Sequence, residues 1–99
     1  MFRTYEVDCR QVQTYDDFVE AFNEAFIETL GGRWNGNLDA FNDYLSWPEE
    51  TPYQLVIHGS DQCARALNYK AHARHERELW VALQEIFAEN KERAYVVFK

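Results

Sequence analysis

The sequence predicts an α/β fold, a small three-stranded parallel sheet flanked by about four helices. Three observations predict it. Thr4–Val7, Tyr53–His58 and Ala94–Phe98 form short alternating or apolar runs of strand length. Helical periodicity occupies the stretches between them, and strands separated by helices pair in parallel through right-handed crossovers. The chain of 99 residues is 46% hydrophobic and 16% aromatic, enough apolar material for the core of one compact domain over residues 1–99.

The elements follow in order. Thr4-Tyr5-Glu6-Val7 alternates as a first strand. Thr14 then offers an N-cap, with Asp16 and Asp17 in the first turn, where the helix dipole favours anions. Tyr15, Phe18, Val19, Phe22, Phe26 and Leu30 recur at helical spacing, with Asp16, Glu20, Asn23 and Glu24 on the other faces, until Gly31-Gly32 ends the helix. A shorter helix starts from Asn37 as N-cap and runs through Leu45. Pro48 and Pro52 bracket an acidic loop. Tyr53–His58 is a buried strand closed by Gly59, and a short helix follows near Asp61 to Leu67. The basic, polar stretch from Asn68 to Glu76 receives no assignment. Leu79, Trp80, Leu83, Ile86 and Phe87 form one apolar stripe of a last helix, from about Arg77 to Glu92. Ala94–Phe98 is a continuous apolar run, as in a strand covered on both faces.

Charge narrows the functional classes. Residues 1–50 hold eleven acids and three bases; residues 51–99 hold six acids and seven bases, giving −7 for the chain. Such a surface repels a phosphate backbone, so direct nucleic-acid binding is disfavoured, whereas a basic protein is steered towards it. No window has the ~20 apolar residues of a membrane span. The N-terminus turns acidic at once and lacks a signal-peptide stretch. Cys9 and Cys63 are neither paired closely in sequence nor set beside a base, so they are expected as two reduced, part-buried thiols. A cytoplasmic protein is the expectation.

The short helix carries the chemistry. At about 100° per residue, Leu38, Phe41 and Leu45 face the core. Asp39 and Asp43 then fall together on nearly the opposite side, with Asn42 at their edge. Asp39 suits a helix N-terminus, but Asp43 lies further down the dipole and repels Asp39, at a cost of roughly 0.2–0.5 kcal/mol. A helix selected only for stability would place Lys or Arg at one of these positions. Two aspartates without an internal cation suggest that a partner supplies the positive charge.

The string Gly32-Arg33-Trp34-Asn35-Gly36-Asn37-Leu38-Asp39-Ala40-Phe41-Asn42-Asp43-Tyr44-Leu45 closely resembles the most recognisable segment of the barstar family. There an aromatic and a glycine precede Asn-x-Asp-Ala, then a large residue, a variable one, Asp, and a leucine two positions on. The order of elements agrees too, so the resemblance covers essentially the whole chain. It implies an inhibitor whose motif helix and preceding loop enter the active-site cleft of a basic ribonuclease, one-to-one, as a monomer without cofactor or metal. By that likeness Asp43 takes the place of the substrate phosphate and Asp39 binds alongside. Glu89, on the last helix, adds a further contact. Trp34 and Trp47 would supply flat apolar surface around the charges or, alternatively, pack in the core, and Asn37, the helix cap, is expected at the same contact surface. Asn42 and Arg33 depart from the pattern, standing where the best-known member has tryptophan and tyrosine; both positions belong to the expected contact surface, so the target enzyme can differ.

Three other readings are weighed against this one. As a glycosidase-like acid/base pair, Asp39 and Asp43 lack a cleft and any difference in environment. A metal site at His72 and His75, with His58 or Cys63, is opposed by Arg74 and Arg77 and lacks a four-ligand spacing. The same fold could also serve as a binding module for another nuclease toxin or a regulatory partner. The basic run Arg65, Lys70, His72, Arg74, His75 and Arg77 is a solvated segment or, less simply, a second contact surface.

Overall fold

The computed structural model describes residues 3–70 and 78–99. Three strands, β1 (Thr4–Asp8), β2 (Tyr53–His58) and β3 (Ala94–Phe98), form a parallel sheet in the order β1-β2-β3. Among the described residues four α-helices accompany it: α1 (Tyr15–Phe22), α2 (Leu38–Tyr44), α3 (Ser60–Ala66) and α4 (Leu79–Glu89). The predicted fold class is the observed one.

Register decides which side of the sheet is buried. Tyr5 pairs with Leu55, Val7 with Ile57, and Leu55 with Val96, so these side chains share one face. Onto it pack Phe18, Phe22, Phe26, Trp34, Phe41, Leu83, Ile86 and Phe87 in one continuous core. The opposite face carries polar ties: Thr4 Oγ1 donates to Gln54 Oε1 at 3.2 Å, and His58 Nε2 lies 2.9 Å from Glu6 Oε1. Contrary to the expectation from its composition, the apolar run of β3 is covered on one face only. It is an edge strand, with Tyr95 and Phe98 exposed.

The first helix begins as predicted. Thr14 and Asp17 form a reciprocal capping box, Thr14 Oγ1 accepting from the Asp17 amide at 3.2 Å. It does not continue as a uniform α-helix to Leu30. A π turn spans Asn23–Ile27, a 3-10 turn spans Glu28–Leu30, and Gly31 ends the run in the left-handed conformation at φ 87°. A π turn holds more residues than an α turn and shifts the phase of everything after it. Phe22 with Asn23, and Phe26 with Ile27, all turn inward as a result. Asn23, expected on a polar face, is wholly buried.

Cys9 and Cys63 are joined in a disulfide, overturning the expectation of two thiols. Pairing of β1 with β2 sets Asp8 opposite His58, and α3 begins two residues after His58. Parallel pairing thus brings together the end of β1 and the start of α3, with the two Cα atoms 5.9 Å apart, although the cysteines lie 54 positions apart in sequence. At the same junction Gly59 adopts φ 72°, and a Cβ there would meet Arg10 Cγ at 2.7 Å. No helix among the described residues is long and apolar enough to cross a membrane.

Candidate functional site

The site is built on α2 and the loop that leads into it. Asn37 caps the helix as predicted, its Oδ1 accepting from the Ala40 amide at 3.0 Å. Leu38, Phe41 and Leu45 are buried, and the Phe41 ring lies between Phe22, Trp34 and Phe87, with centroids 5.0, 4.6 and 5.6 Å away. Seating this apolar side leaves Asp39 and Asp43 exposed on the other. Among the described residues neither carboxylate takes part in an ion pair.

The nearest arginine in the sequence is committed elsewhere. Arg33 Nη2 meets Glu20 Oε2 at 2.9 Å, and Nη1 meets Glu28 Oε2. Hydrogen bonding to Glu20, then its charge and the Glu28 contact, push the guanidinium pKa further up. The side chain remains largely exposed, but its charge is answered within the chain. Among the described residues no ion pair answers the acidic pair on α2, and Arg33 does not offer a free cation.

A set of side-chain hydrogen bonds fixes the loop from Arg33 to Asn37. Asn23 grips the Trp34 backbone on both sides, Nδ2 donating to its carbonyl at 2.9 Å and Oδ1 accepting from its amide at 2.7 Å. Tyr15 donates its hydroxyl to the Gly36 carbonyl at 2.6 Å, and Tyr44 donates to the Arg33 carbonyl at 3.0 Å. Burial pushes the Tyr15 hydroxyl pKa up, which keeps it a donor. Trp34 Nε1 donates to the Asn37 carbonyl at 2.7 Å, immediately before the helix.

The expected surface residues separate into groups. Trp34 is 2% exposed, its ring edge-on to Phe22 and tilted against Phe41, so its side chain takes the core-packing place rather than the contact surface. It sits inward because its backbone is clasped by Asn23 and its ring fills the space above Phe41. Trp47 is 48% exposed, its ring 4.6 Å from Tyr44 at the far end of α2. Asn42 is half-buried, and its Oδ1 accepts from Asn90 Nδ2 at 2.7 Å, tying α2 to the end of α4. Glu89, exposed, immediately precedes Asn90, so its segment of α4 borders α2.

Sequence reasoning missed Asn23, Asn90, Tyr15 and Tyr44 as the parts that hold this segment. The available signal was weak: Asn23 is a polar residue inside a run of phenylalanines, and only the π turn makes it face inward. Of the proposed metal ligands, Cys63 is in the disulfide and His58 lies against Glu6, while His72 and His75 fall outside the described residues. Arg74 and Arg77 fall outside them as well. Arg65 donates to Gln62 at 3.0 Å. Among the described residues no group of three or more His, Cys, Asp or Glu could hold a metal ion.

Compared with known families, residues 2–99 match the family model described as Barstar (barnase inhibitor). No curated protein matches the chain.

Proposed function

Because the chain belongs to the barstar family, we propose that it inhibits a basic ribonuclease by presenting α2 to the enzyme's active-site cleft. Members of this family are inhibitors rather than enzymes. The observation that carries the reading is the pair Asp39 and Asp43, exposed on a seated helix with no cation of the described chain to answer them.

The mechanism follows from the chemistry of the groups. A ribonuclease cleft binds phosphate with arginine, lysine or protonated histidine. A carboxylate oxygen entering it accepts the same charge-assisted hydrogen bonds, often two at once from a guanidinium. Asp43 fills the phosphate position, Asp39 binds beside it, and Glu89 adds a contact from α4. Desolvating these charges is unfavourable unless each finds its partner, which makes the site selective for a pocket with matching cations. Trp47 supplies an apolar rim that excludes water. Such a role is self-protection by a one-to-one complex in the cytoplasm. That address follows from the role and not from the cysteines, since a disulfide is unusual in a reducing compartment.

A second reading is favoured by Arg33 and Asn42, which are both engaged inside the chain, by Glu20 and Glu28 and by Asn90. Two positions of the expected contact surface are then altered together, which suits the same fold directed at a different nuclease toxin or regulatory partner. Equimolar addition to a guanyl-specific ribonuclease separates the two. Full inhibition supports the first reading; retained cleavage, with rescue only from a nuclease encoded beside the gene, supports the second. Failure of both assays overturns the assignment.

A further inference from the structure

Two side chains of polar type are buried among the described residues, Asn23 and Asn90, and both end on the same segment of chain. We propose that they are positioning residues, holding residues 33–45 in the single arrangement that can inhibit. The proposal rests on the reading of α2 as the inhibitory surface.

A buried amide is unfavourable unless its groups are met, so an interior selected only for stability would use apolar side chains at these places. Asn23 spends both ends of its amide on the Trp34 backbone, one accepting and one donating, across a span of eleven residues. It acts as a short splint between the π turn and the loop. An apolar residue could fill the same volume but would leave the Trp34 amide and carbonyl unanswered. Asn90 donates to the Ile86 carbonyl at 2.8 Å and to Asn42 Oδ1 at 2.7 Å. The first bond orients the side chain on α4; the second sets the register of α2 against α4, at the residue next to Asp43.

One asparagine thus fixes the approach to α2 and the other fixes its position over the helix that carries Glu89. Affinity for a rigid cleft depends on this. A segment already ordered loses less freedom on binding, and carboxylates misplaced by an ångström lose their charge-assisted bonds. Buried polar groups that specify one arrangement at some cost in stability are known from other proteins.

The test uses Asn23→Asp, which keeps the acceptor for the Trp34 amide and loses the donor, and Asn90→Leu, which keeps the branched shape and loses the link to Asn42. Amide hydrogen exchange of the free protein is measured first. Protection at Trp34, Ala40 and Phe41 should fall at least tenfold relative to Val56 and Ile57 in β2. Dissociation of the complex with an inhibited ribonuclease should accelerate at least tenfold in both variants. A lowered melting temperature with unchanged dissociation would leave only a structural role and overturn the proposal, as would unchanged relative protection. If Asn23→Asp does not fold, Asn90→Leu decides alone. If the wild-type protein inhibits no ribonuclease, the functional reading fails, and the exchange data still decide whether these asparagines hold the segment.

Discussion

Asp43 and Asp16 are the same residue type, both exposed, in environments that differ only in what lies around them. Asp16 is in the first turn of α1, beside a cavity that Asn37 and Leu38 also line, but it is not among the residues assigned to the contact surface. Asp43 is on the outward side of α2, four residues from a like charge. Asp43→Ala should weaken the ribonuclease complex by about 2–5 kcal/mol, a range for desolvated charge pairs that complexes of this family helped to define. Asp16→Ala should cost less than about 0.5 kcal/mol, and neither should change the melting temperature appreciably. Titration calorimetry or inhibition constants check this; equal losses would remove Asp43 from its assigned role. At this scale the sequence was legible where a residue acts through local geometry. The cap at Asn37, the inward trio Leu38, Phe41 and Leu45, and the outward aspartates all follow from helical spacing. Trp34 and Arg33 were not legible, because their surroundings come from Asn23, Glu20 and Glu28, more than a few residues away.

α2 spans seven residues, too short to be stable by itself, so its ends and its seat hold it together. Asn37→Ala removes the acceptor for the Ala40 amide and should cost about 1 kcal/mol. In a domain of this size that is a fall of about 4–8 °C in melting temperature, measurable by circular dichroism. Because the cap also orders the first turn, dissociation from the nuclease should accelerate as well; a variant with an unaltered melting curve would show that packing alone maintains the helix. The types of the three strands and four α-helices were legible: β2 appears with the predicted bounds, and α3 and α4 begin within two residues of expectation. What the periodicity could not supply was the change of phase at Asn23–Ile27, since a π turn leaves no distinctive residue pattern. Nor could composition reveal that one face of β3 is open, because an apolar run is the same whether one face or two are covered.

At the scale of the molecule, charge and connectivity govern behaviour. On the proposed reading the eleven acids of residues 1–50 would attract a basic enzyme over distances comparable to the Debye length, ~10 Å at 0.1 M salt and ~3 Å at 1 M. The association rate should fall about tenfold or more across that range, followed by stopped-flow fluorescence; a rate indifferent to salt would refute steering. The Cys9–Cys63 bridge closes 54 residues, and loop entropy assigns it about 4 kcal/mol of stability. Treatment with a reductant should therefore lower the melting temperature substantially, whereas Cys9→Ala with Cys63→Ala should be insensitive to reductant. The cysteine pairing was invisible in sequence because it depends on which strands are neighbours, a property of the whole fold.

Phe41 rests on Phe87, and Asn42 is held by Asn90, a residue 48 positions further along the chain. During synthesis at about 5–20 residues per second, those supports leave the ribosome roughly 2–10 s after the helix they carry. The acidic turn therefore exists as a stretch of polypeptide before it exists as a shaped surface. Any protection it confers trails its own translation by that interval.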